Sequence, residues 1–195
     1  MNTTEKNVGL YFGSFNPIHK GHLSIARHLL KSEALHEVWF VISPQSPFKS
    51  VASLLDDDCR YEMVLLAIKN NKGLRACNIE FGLSQPSYTI NTLEELKEKY
   101  PGVNFCVIMG SDNLDAFDKW KSYEDILSHY RIMVYPRGGS DGGRFRTHPS
   151  VRWIDAPLLD ISSTAIREAI RQGQDVKGWL PAKVLAYINK KGFYK

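Results

Sequence analysis

Short apolar segments alternate with amphipathic segments along nearly the whole chain, and this alternation restricts the possible folds more than any other feature. The apolar segments are too short for helices, and they predict strands at Val8–Phe12, Val38–Ile42, Leu74–Ile79, Val103–Met109, Ile132–Tyr135 and Val151–Ile154. Because these strands are apolar on both faces, they are typical of a parallel sheet that helices cover on both sides. The sequence therefore predicts an α/β fold with a Rossmann-like, doubly wound parallel sheet.

Amphipathic segments between and after the strands predict the helices. The predicted ranges are His22–Leu30, Arg60–Asn70, Thr89–Tyr100, Ser162–Gln172 and Pro181–Asn189. The last two follow the final strand, so we expect C-terminal helices to complete the fold. In doubly wound sheets, ligands bind beyond the carboxyl ends of the strands, where the strand order reverses. Motifs that directly follow a strand are therefore the candidates for a functional site.

Composition limits the kind of protein and its partners. The 195 residues are 43% hydrophobic and 24% charged, which favours a single domain over residues 1–195 without long disorder. The net charge of +4 suits anionic partners, but on charge alone an accident of surface composition is favoured. The lysines and arginines are dispersed and form no dense basic block, so no nucleic acid is expected. Three cysteines without CxxC spacing indicate reduced thiols and a cytoplasmic location. The sequence has no signal peptide and no apolar run of about 18 residues, so no membrane partner is expected.

The strongest functional signal is GSFNPIHKGH at residues 13–22, which joins the first strand to the first helix. His19 and His22 are three positions apart at a helix N-terminus, so their rings can share one face. Gly13 leaves room for a ligand, and Gly21 places no side chain between the histidines. The free N–H groups and the positive end of the helix dipole attract phosphate. The motif predicts a phosphate site and no protein-held metal, because zinc would need further His or Cys ligands.

A second motif, ISSTAIR at residues 161–167, begins the helix after the last strand. Its serines and threonine provide hydroxyl groups and free N–H groups at the helix start. Arg167 lies one turn further along and can form a charge-assisted fork to phosphate oxygens. A simple N-cap would account for only one of the three hydroxyl groups and not for the arginine. We therefore favour the binding of a phosphate chain by this motif.

Together the motifs resemble those of the nucleotidyltransferase superfamily related to class I aminoacyl-tRNA synthetases, which carries HxGH after its first strand. Within it, the chain is most similar to the bacterial nicotinate-nucleotide adenylyltransferases. The similarity rests on residues 13–22, SYTxxTL at 87–93, GSD at 110–112 with Trp120, and ISSTxIR at 161–167, and it covers essentially the whole chain. It implies an enzyme that transfers the adenylyl group of ATP to nicotinate mononucleotide. The products would be nicotinate adenine dinucleotide and pyrophosphate, in NAD biosynthesis.

The resemblance also implies which residues act. ATP would be bound by Gly13, Ser14, Phe15, His19, Gly21, His22, Gly110, Asp112, Ile161, Ser162, Ser163, Thr164 and Arg167. The mononucleotide would be bound by Asn16, Lys49, Tyr88, Thr89, Trp120, Lys121 and Arg137, with Trp120 stacked on the pyridine ring. The catalytic residues would be His19, His22, Lys49 and Arg167, which would stabilise charge during direct in-line attack on the α-phosphorus. Mg²⁺ would be bound mainly through the ATP phosphates.

Several alternatives remain open at this point. Phosphopantetheine adenylyltransferases share HxGH but lack the SYTxxTL segment, and cytidylyltransferases have a different second signature. Nicotinamide mononucleotide differs from the acid only in its carboxamide, although the bacterial-type motifs favour the acid. A nucleotide sensor or RNA-binding relative would have lost a catalytic residue, whereas His19, His22 and Arg167 are present. The sequence also leaves open a homo-oligomer, and whether the glycine-rich, basic loop at residues 136–150 closes over phosphates.

Overall fold

A computed structural model describes residues 6–45, 54–157 and 159–195, and it contains a six-stranded parallel sheet between two layers of helices. The strands are β1 (Lys6–Gly13), β2 (Glu37–Ile42), β3 (Leu74–Cys77), β4 (Val103–Gly110), β5 (Arg131–Tyr135) and β6 (Val151–Trp153). The helices are α1 (Lys20–Ser32), α2 (Asp57–Ile68), α3 (Thr89–Lys99), α4 (Ser111–Asp115), α5 (Tyr123–His129), α6 (Ser163–Arg171) and α7 (Ala182–Lys191). Short 3-10 turns occupy Ile79–Gly82, Phe117–Lys119 and Gly143–Phe145.

The strand order is β3-β2-β1-β4-β5-β6, and every neighbouring pair is parallel. The chain first builds outwards from β1 to β3 and then returns to the other side of β1 with β4. The order therefore reverses between β1 and β4, and a crevice opens beyond their carboxyl ends. This arrangement confirms the predicted doubly wound α/β fold.

Side chains on the two faces of the sheet form two separate hydrophobic cores. In β2, Val38, Phe40 and Ile42 face α1, α2, α6 and α7, whereas Trp39 and Val41 face α3, α4 and α5. This alternation has the period of two that a strand imposes. All five side chains are at most 2% exposed, which explains why β2 reads as a continuous apolar run.

The structure departs from the sequence prediction where elements are short. Helices α4 and α5 were not predicted, because five and seven residues are too few to show a helical hydrophobic period. The predicted third strand ends earlier, at Cys77, and a 3-10 turn follows. The loop at 136–150 is anchored by Phe145, which is buried against Phe117 and Tyr123. Within the described ranges, no helix has both the length and the hydropathy to cross a bilayer.

Candidate active site

A cleft of about 790 Å³ lies beyond the carboxyl ends of β1, β4 and β5, between the N-termini of α1, α3 and α6. Its size is suitable for a nucleotide-sized ligand. Most of the residues predicted from the sequence line it. They are Gly13, Ser14, Phe15, His19, His22, Tyr88, Thr89, Gly110, Trp120, Lys121, Arg137, Ser162, Ser163, Thr164 and Arg167.

The other predicted residues do not line this cleft or cannot be placed. Gly21 lies beneath His19, Asp112 pairs with Arg137, and Ile161 packs against the core. Lys49 lies outside the described residues. Asn16 does not line the cleft, because its side chain is buried and has protein partners, and its contact with substrate stays a prediction.

Asn16 supports the loop between β1 and α1 from behind the cleft. The residue is 1% exposed. Its side-chain oxygen accepts hydrogen bonds from the Tyr194 hydroxyl at 2.7 Å and from the Leu55 backbone N–H at 3.4 Å. The motif asparagine therefore connects the loop to the residues just before α2 and to the segment after α7, a connection that the sequence did not indicate.

The two motif histidines form a stacked pair at the N-terminus of α1. Their ring centroids are 3.6 Å apart with an interplanar angle of 25°. The backbone N–H of His19 donates to Nδ1 of His22 at 3.3 Å, so a neutral His22 ring carries its proton on Nε2. A Cβ at Gly21 would lie only 3.0 Å from Cε1 and Nδ1 of His19. The glycine is thus required because the His19 ring lies directly over it.

The environment of His19 keeps its ring uncharged at neutral pH. Burial, and then the positive charge of Arg137, lower the pKa of His19 to about 4. The ring is 5% exposed, and its Nδ1 has no hydrogen-bond partner among the residues that the structure describes. A neutral imidazole beside a helix N-terminus can donate one hydrogen bond to a ligand oxygen.

Glycines also shape the ends of β1 and β4. A Cβ at Gly13 would lie 2.9 Å from the Phe15 ring, which folds back over the end of β1. A Cβ at Gly110 would lie 2.5 Å from Oδ1 of Asp112 and 3.1 Å from the Arg137 side chain. Gly13 therefore excludes larger residues because the Phe15 ring is buried, whereas at Gly110 the exposed side chains of Asp112 and Arg137 would have to move.

Arg167 connects α6 to the opposite wall of the cleft. Its guanidinium donates to the backbone oxygen of Asn16 at 2.9 Å and to the Thr164 hydroxyl at 3.3 Å. The arginine therefore has a fixed position beside the histidine loop, and its side chain lines the cleft. It is placed where a charge-assisted contact to a phosphate chain is feasible.

The two serines of the second motif have structural partners. The Ser162 hydroxyl caps α6 by accepting from the Ala165 backbone N–H at 3.1 Å. The Ser163 hydroxyl donates to the Pro17 backbone oxygen at 2.9 Å. Ser162 thus forms the N-cap and Ser163 joins α6 to the first loop, while both residues line the cleft and their contact with phosphate stays a prediction.

The other end of the cleft is aromatic and positively charged. Tyr88 and Thr89 lie at the N-terminus of α3, and the half-buried Trp120 lines the same region. The ammonium group of Lys121 lies 4.9 Å from the Tyr88 ring centroid and 3.4 Å from Oδ1 of Asn91. This end can hold a flat ring that carries a negative group.

Arg60 is a structural residue that the sequence did not reveal. It is 0% exposed, and its guanidinium donates to backbone oxygens of Ser14 at 2.6 Å and of Ser43 and Leu55 at 2.9 Å. It also pairs with Asp57. An arginine in a helical pattern is normally solvent-exposed, so no sequence signal indicated that Arg60 joins the loops after β1 and β2.

Other cleft residues were also missed. Tyr11 and Tyr135 lie at the cleft base with their hydroxyl groups 3.0 Å apart, and burial raises the pKa of both. The lining also includes Ser43, Leu54, Glu80, Ser87, Asn113 and Lys119. Only Tyr11 could have been found from the sequence, because it precedes the first motif by two residues and therefore lies near the predicted site.

Comparison with known proteins identifies the family. A family model described as cytidylyltransferase-like matches residues 10–169. A Flavobacterium johnsoniae protein named "Probable nicotinate-nucleotide adenylyltransferase" is 47% identical over 96% of this chain and 98% of its own length. A Bacteroides fragilis protein of the same name is 46% identical over 93% and 90%.

Solved structures show the same fold. The Plasmodium falciparum nicotinic acid mononucleotide adenylyltransferase complexed with NaAD superposes with a TM-score of 0.81, at 24% identity and 97% coverage of both chains. The relatives confirm the resemblance found in the motifs. The chain belongs to the cytidylyltransferase-like family and, within it, to the nicotinate-nucleotide adenylyltransferases, which are nucleotidyltransferase enzymes.

Proposed function

We propose that the chain transfers the adenylyl group of ATP to nicotinate mononucleotide and releases pyrophosphate. The observation that carries the proposal is the stacked pair of His19 and His22 at the start of α1, in the same cleft as Arg167. The names of the similar bacterial proteins support this reaction. So does the aromatic, positively charged second end of the cleft.

At the phosphate end, the substrate phosphate attacks the α-phosphorus of ATP in line with the departing pyrophosphate. A phosphate oxygen is already a nucleophile, so no side chain forms a covalent intermediate and catalysis consists of positioning and charge stabilisation. His19 and His22 donate to oxygens around the α-phosphorus, and the N-terminus of α1 adds its positive dipole. Arg167 and Thr164 hold the leaving pyrophosphate. Lys49 remains a predicted contact, since it lies outside the described residues.

At the pyridine end, two electrostatic features favour the acid over the amide, and an aromatic side chain can hold the ring of either. The N-terminus of α3 presents backbone N–H groups around Thr89, and these favour a negative group. Lys121 adds a positive charge beside Tyr88, and Lys119 also lines the cleft. Trp120 provides a face on which the pyridine ring can stack. A carboxylate gains more from these groups than a neutral carboxamide does.

The metal ion enters the proposal as part of the substrate. No group of three or more His, Cys, Asp or Glu side chains could hold a metal among the described residues. Mg²⁺ retains much of its hydration and binds through substrate phosphates, so we propose MgATP as the nucleotide substrate. Nucleic acid and membranes have no role in the proposed reaction, which takes place in the cytoplasm, and a homo-oligomer remains an open prediction.

Pyrophosphate release tests the proposal, with MgATP and either nicotinate or nicotinamide mononucleotide as acceptor. We expect turnover with the acid to be strongly preferred. Replacing His22 with alanine should lower kcat by about 10²–10³, the usual loss when one charge-stabilising donor is removed. The matched control is His28→Ala on the same helix, outside the cleft, which should leave kcat unchanged.

Three results would contradict parts of this assignment. Near-normal turnover of His22→Ala would refute the role of the histidine pair. Equal rates with both acceptors would retain the transferase but refute recognition of the carboxylate. No release with either acceptor would refute the proposed reaction.

A further inference from the structure

A buried carboxyl group lies at the base of the cleft, outside the proposed catalytic groups. Glu80 belongs to the 3-10 turn after β3 and is 1% exposed. Its Oε1 accepts a hydrogen bond from the Thr92 hydroxyl at 2.8 Å. Its other oxygen is also buried, and the side chains of Ser43 and Ser87 lie close enough to the carboxyl group to lower its pKa against the effect of burial. A buried carboxyl group is costly, and the burial raises its pKa, so its presence here requires a reason.

Thr92 links this carboxyl group to the first turn of α3. The threonine is completely buried, and its hydroxyl also lies 3.4 Å from the Tyr88 backbone oxygen. The Thr92 backbone N–H donates to the same oxygen at 3.3 Å. From the other side, the Ser87 backbone N–H donates to the Gln45 backbone oxygen at 3.0 Å. The segment that precedes α3 is therefore held between Glu80 and the loop after β2.

Direct contact between Glu80 and the substrate is unfavourable on electrostatic grounds. The proposed substrate carries both a carboxylate and a phosphate, and Glu80 in its ionised form would repel either group. The hydrogen bond to Thr92 instead fixes the direction in which the first turn of α3 points. That turn supplies the backbone N–H groups near Thr89.

We propose that Glu80 is the positioning residue for the pyridine end of the cleft. Through Thr92 it holds the first turn of α3 so that its N–H groups meet the carboxylate of the mononucleotide. This inference rests on the proposed function, because it assumes that the acid is the substrate. It assigns acid-versus-amide selectivity to a residue that does not touch the substrate.

Steady-state kinetics with Thr92→Val test the inference, because valine has nearly the same shape but no hydroxyl group. We expect the KM for nicotinate mononucleotide to rise roughly tenfold, in line with the loss of one hydrogen bond to a charged group. The preference for acid over amide should fall by a similar factor. The KM for ATP should stay within about twofold, because the phosphate end lies on other elements. Glu95→Ala, on the exposed side of α3, is the matched control and should leave all values unchanged.

Two further variants separate positioning from simple stability. Thr92→Ser keeps the hydroxyl group and should keep the wild-type KM. Glu80→Gln keeps an oxygen that can accept from Thr92, so its KM should stay within about threefold of wild type. If the two residues act as one unit, Glu80→Ala combined with Thr92→Val should raise the KM no more than the larger single change does.

The outcomes also distinguish this inference from the proposed function. If the unmodified protein does not turn over nicotinate mononucleotide, the proposed function fails before any variant is tested. If it does, and Thr92→Val lowers the melting temperature but leaves the KM and the acid preference unchanged, Glu80 has only a structural role. The inference would likewise be overturned if the effects of Glu80→Ala and Thr92→Val on the KM simply add in the double variant.

Discussion

Replacing Gly21 with alanine adds one methyl group directly beneath the His19 ring. The added Cβ would lie 3.0 Å from Cε1 and Nδ1 of that ring. Ordinary contacts between such atoms lie at about 3.5–4.0 Å, so the ring must retreat by about half an ångström. The ring cannot move without disturbing its surroundings, because it is buried and stacked on His22 at 3.6 Å.

The expected effects on stability and on catalysis differ in size. Overpacking of this kind costs about 1–3 kcal/mol, and alanine returns up to about 1 kcal/mol of helix propensity within α1. The melting temperature should therefore fall by no more than about 12 °C. Misplacement of a catalytic group lowers the rate by on the order of 10²-fold, or about 2.7 kcal/mol of transition-state stabilisation. Because the histidine contacts strengthen in the transition state, kcat should fall while the KM for ATP changes little.

Pyrophosphate release and thermal unfolding of the same preparation measure both effects for Gly21→Ala. Gly178→Ala is the matched control, because a Cβ there would meet no atom within 4 Å. The control should retain full kcat. Retention of more than half of kcat by Gly21→Ala would refute the reasoning, as would an equal loss in the control.

Three further perturbations have definite expected results. Arg60→Met leaves Asp57 and the backbone oxygens of two loops without their donor, and urea unfolding should show a loss of about 3–5 kcal/mol; a loss below about 1 kcal/mol would contradict this. Tyr194→Phe removes the hydroxyl group 2.7 Å from Oδ1 of Asn16. It should destabilise the protein by about 1–3 kcal/mol and weaken ATP binding. Unchanged ATP affinity would refute the role of Tyr194 in supporting the loop between β1 and α1. The free energy of unfolding should decline as pH falls from 6.5 towards about 4, because His19 binds a proton in the unfolded chain but not in the folded one. Urea titrations at several pH values should show a weaker decline for His19→Gln than for wild type. If the two proteins lose stability equally with falling pH, His19 is not the cause of the decline.

Much of the fold followed from the sequence because the strands are buried on both faces. Uniformly apolar runs such as Val38–Ile42 identify central parallel strands without any knowledge of their neighbours. Tertiary packing decides which strands lie next to one another, so the strand order came only from the structure. Helices α4 and α5 depend on the core contacts of Leu114, Ile126 and Leu127, and their sequences are too short to show this in advance.

The cleft was predictable where motifs directly follow strands or begin helices, as at Gly13 and Ser162. Residues that support the motifs from behind were not predictable. Arg60 and Glu80 carry charged side chains, and such side chains are normally exposed to solvent. Only the approach of distant loops buries them. Asn16 shows the converse, because its position within a motif suggested ligand contact although its side chain faces the interior.

The contacts that hold the loop between β1 and α1 have a consequence for the order of folding during synthesis. Asn16 is separated from Arg167 by 151 positions and from Tyr194 by 178. A ribosome therefore produces the loop first and its supports last. While α6 and the segment after α7 are still inside the exit tunnel, the sheet can begin to form but the loop lacks these two partners. The nascent chain should thus gain ATP affinity only after α6 and the segment after α7 have left the tunnel, as a late step that follows assembly of the sheet.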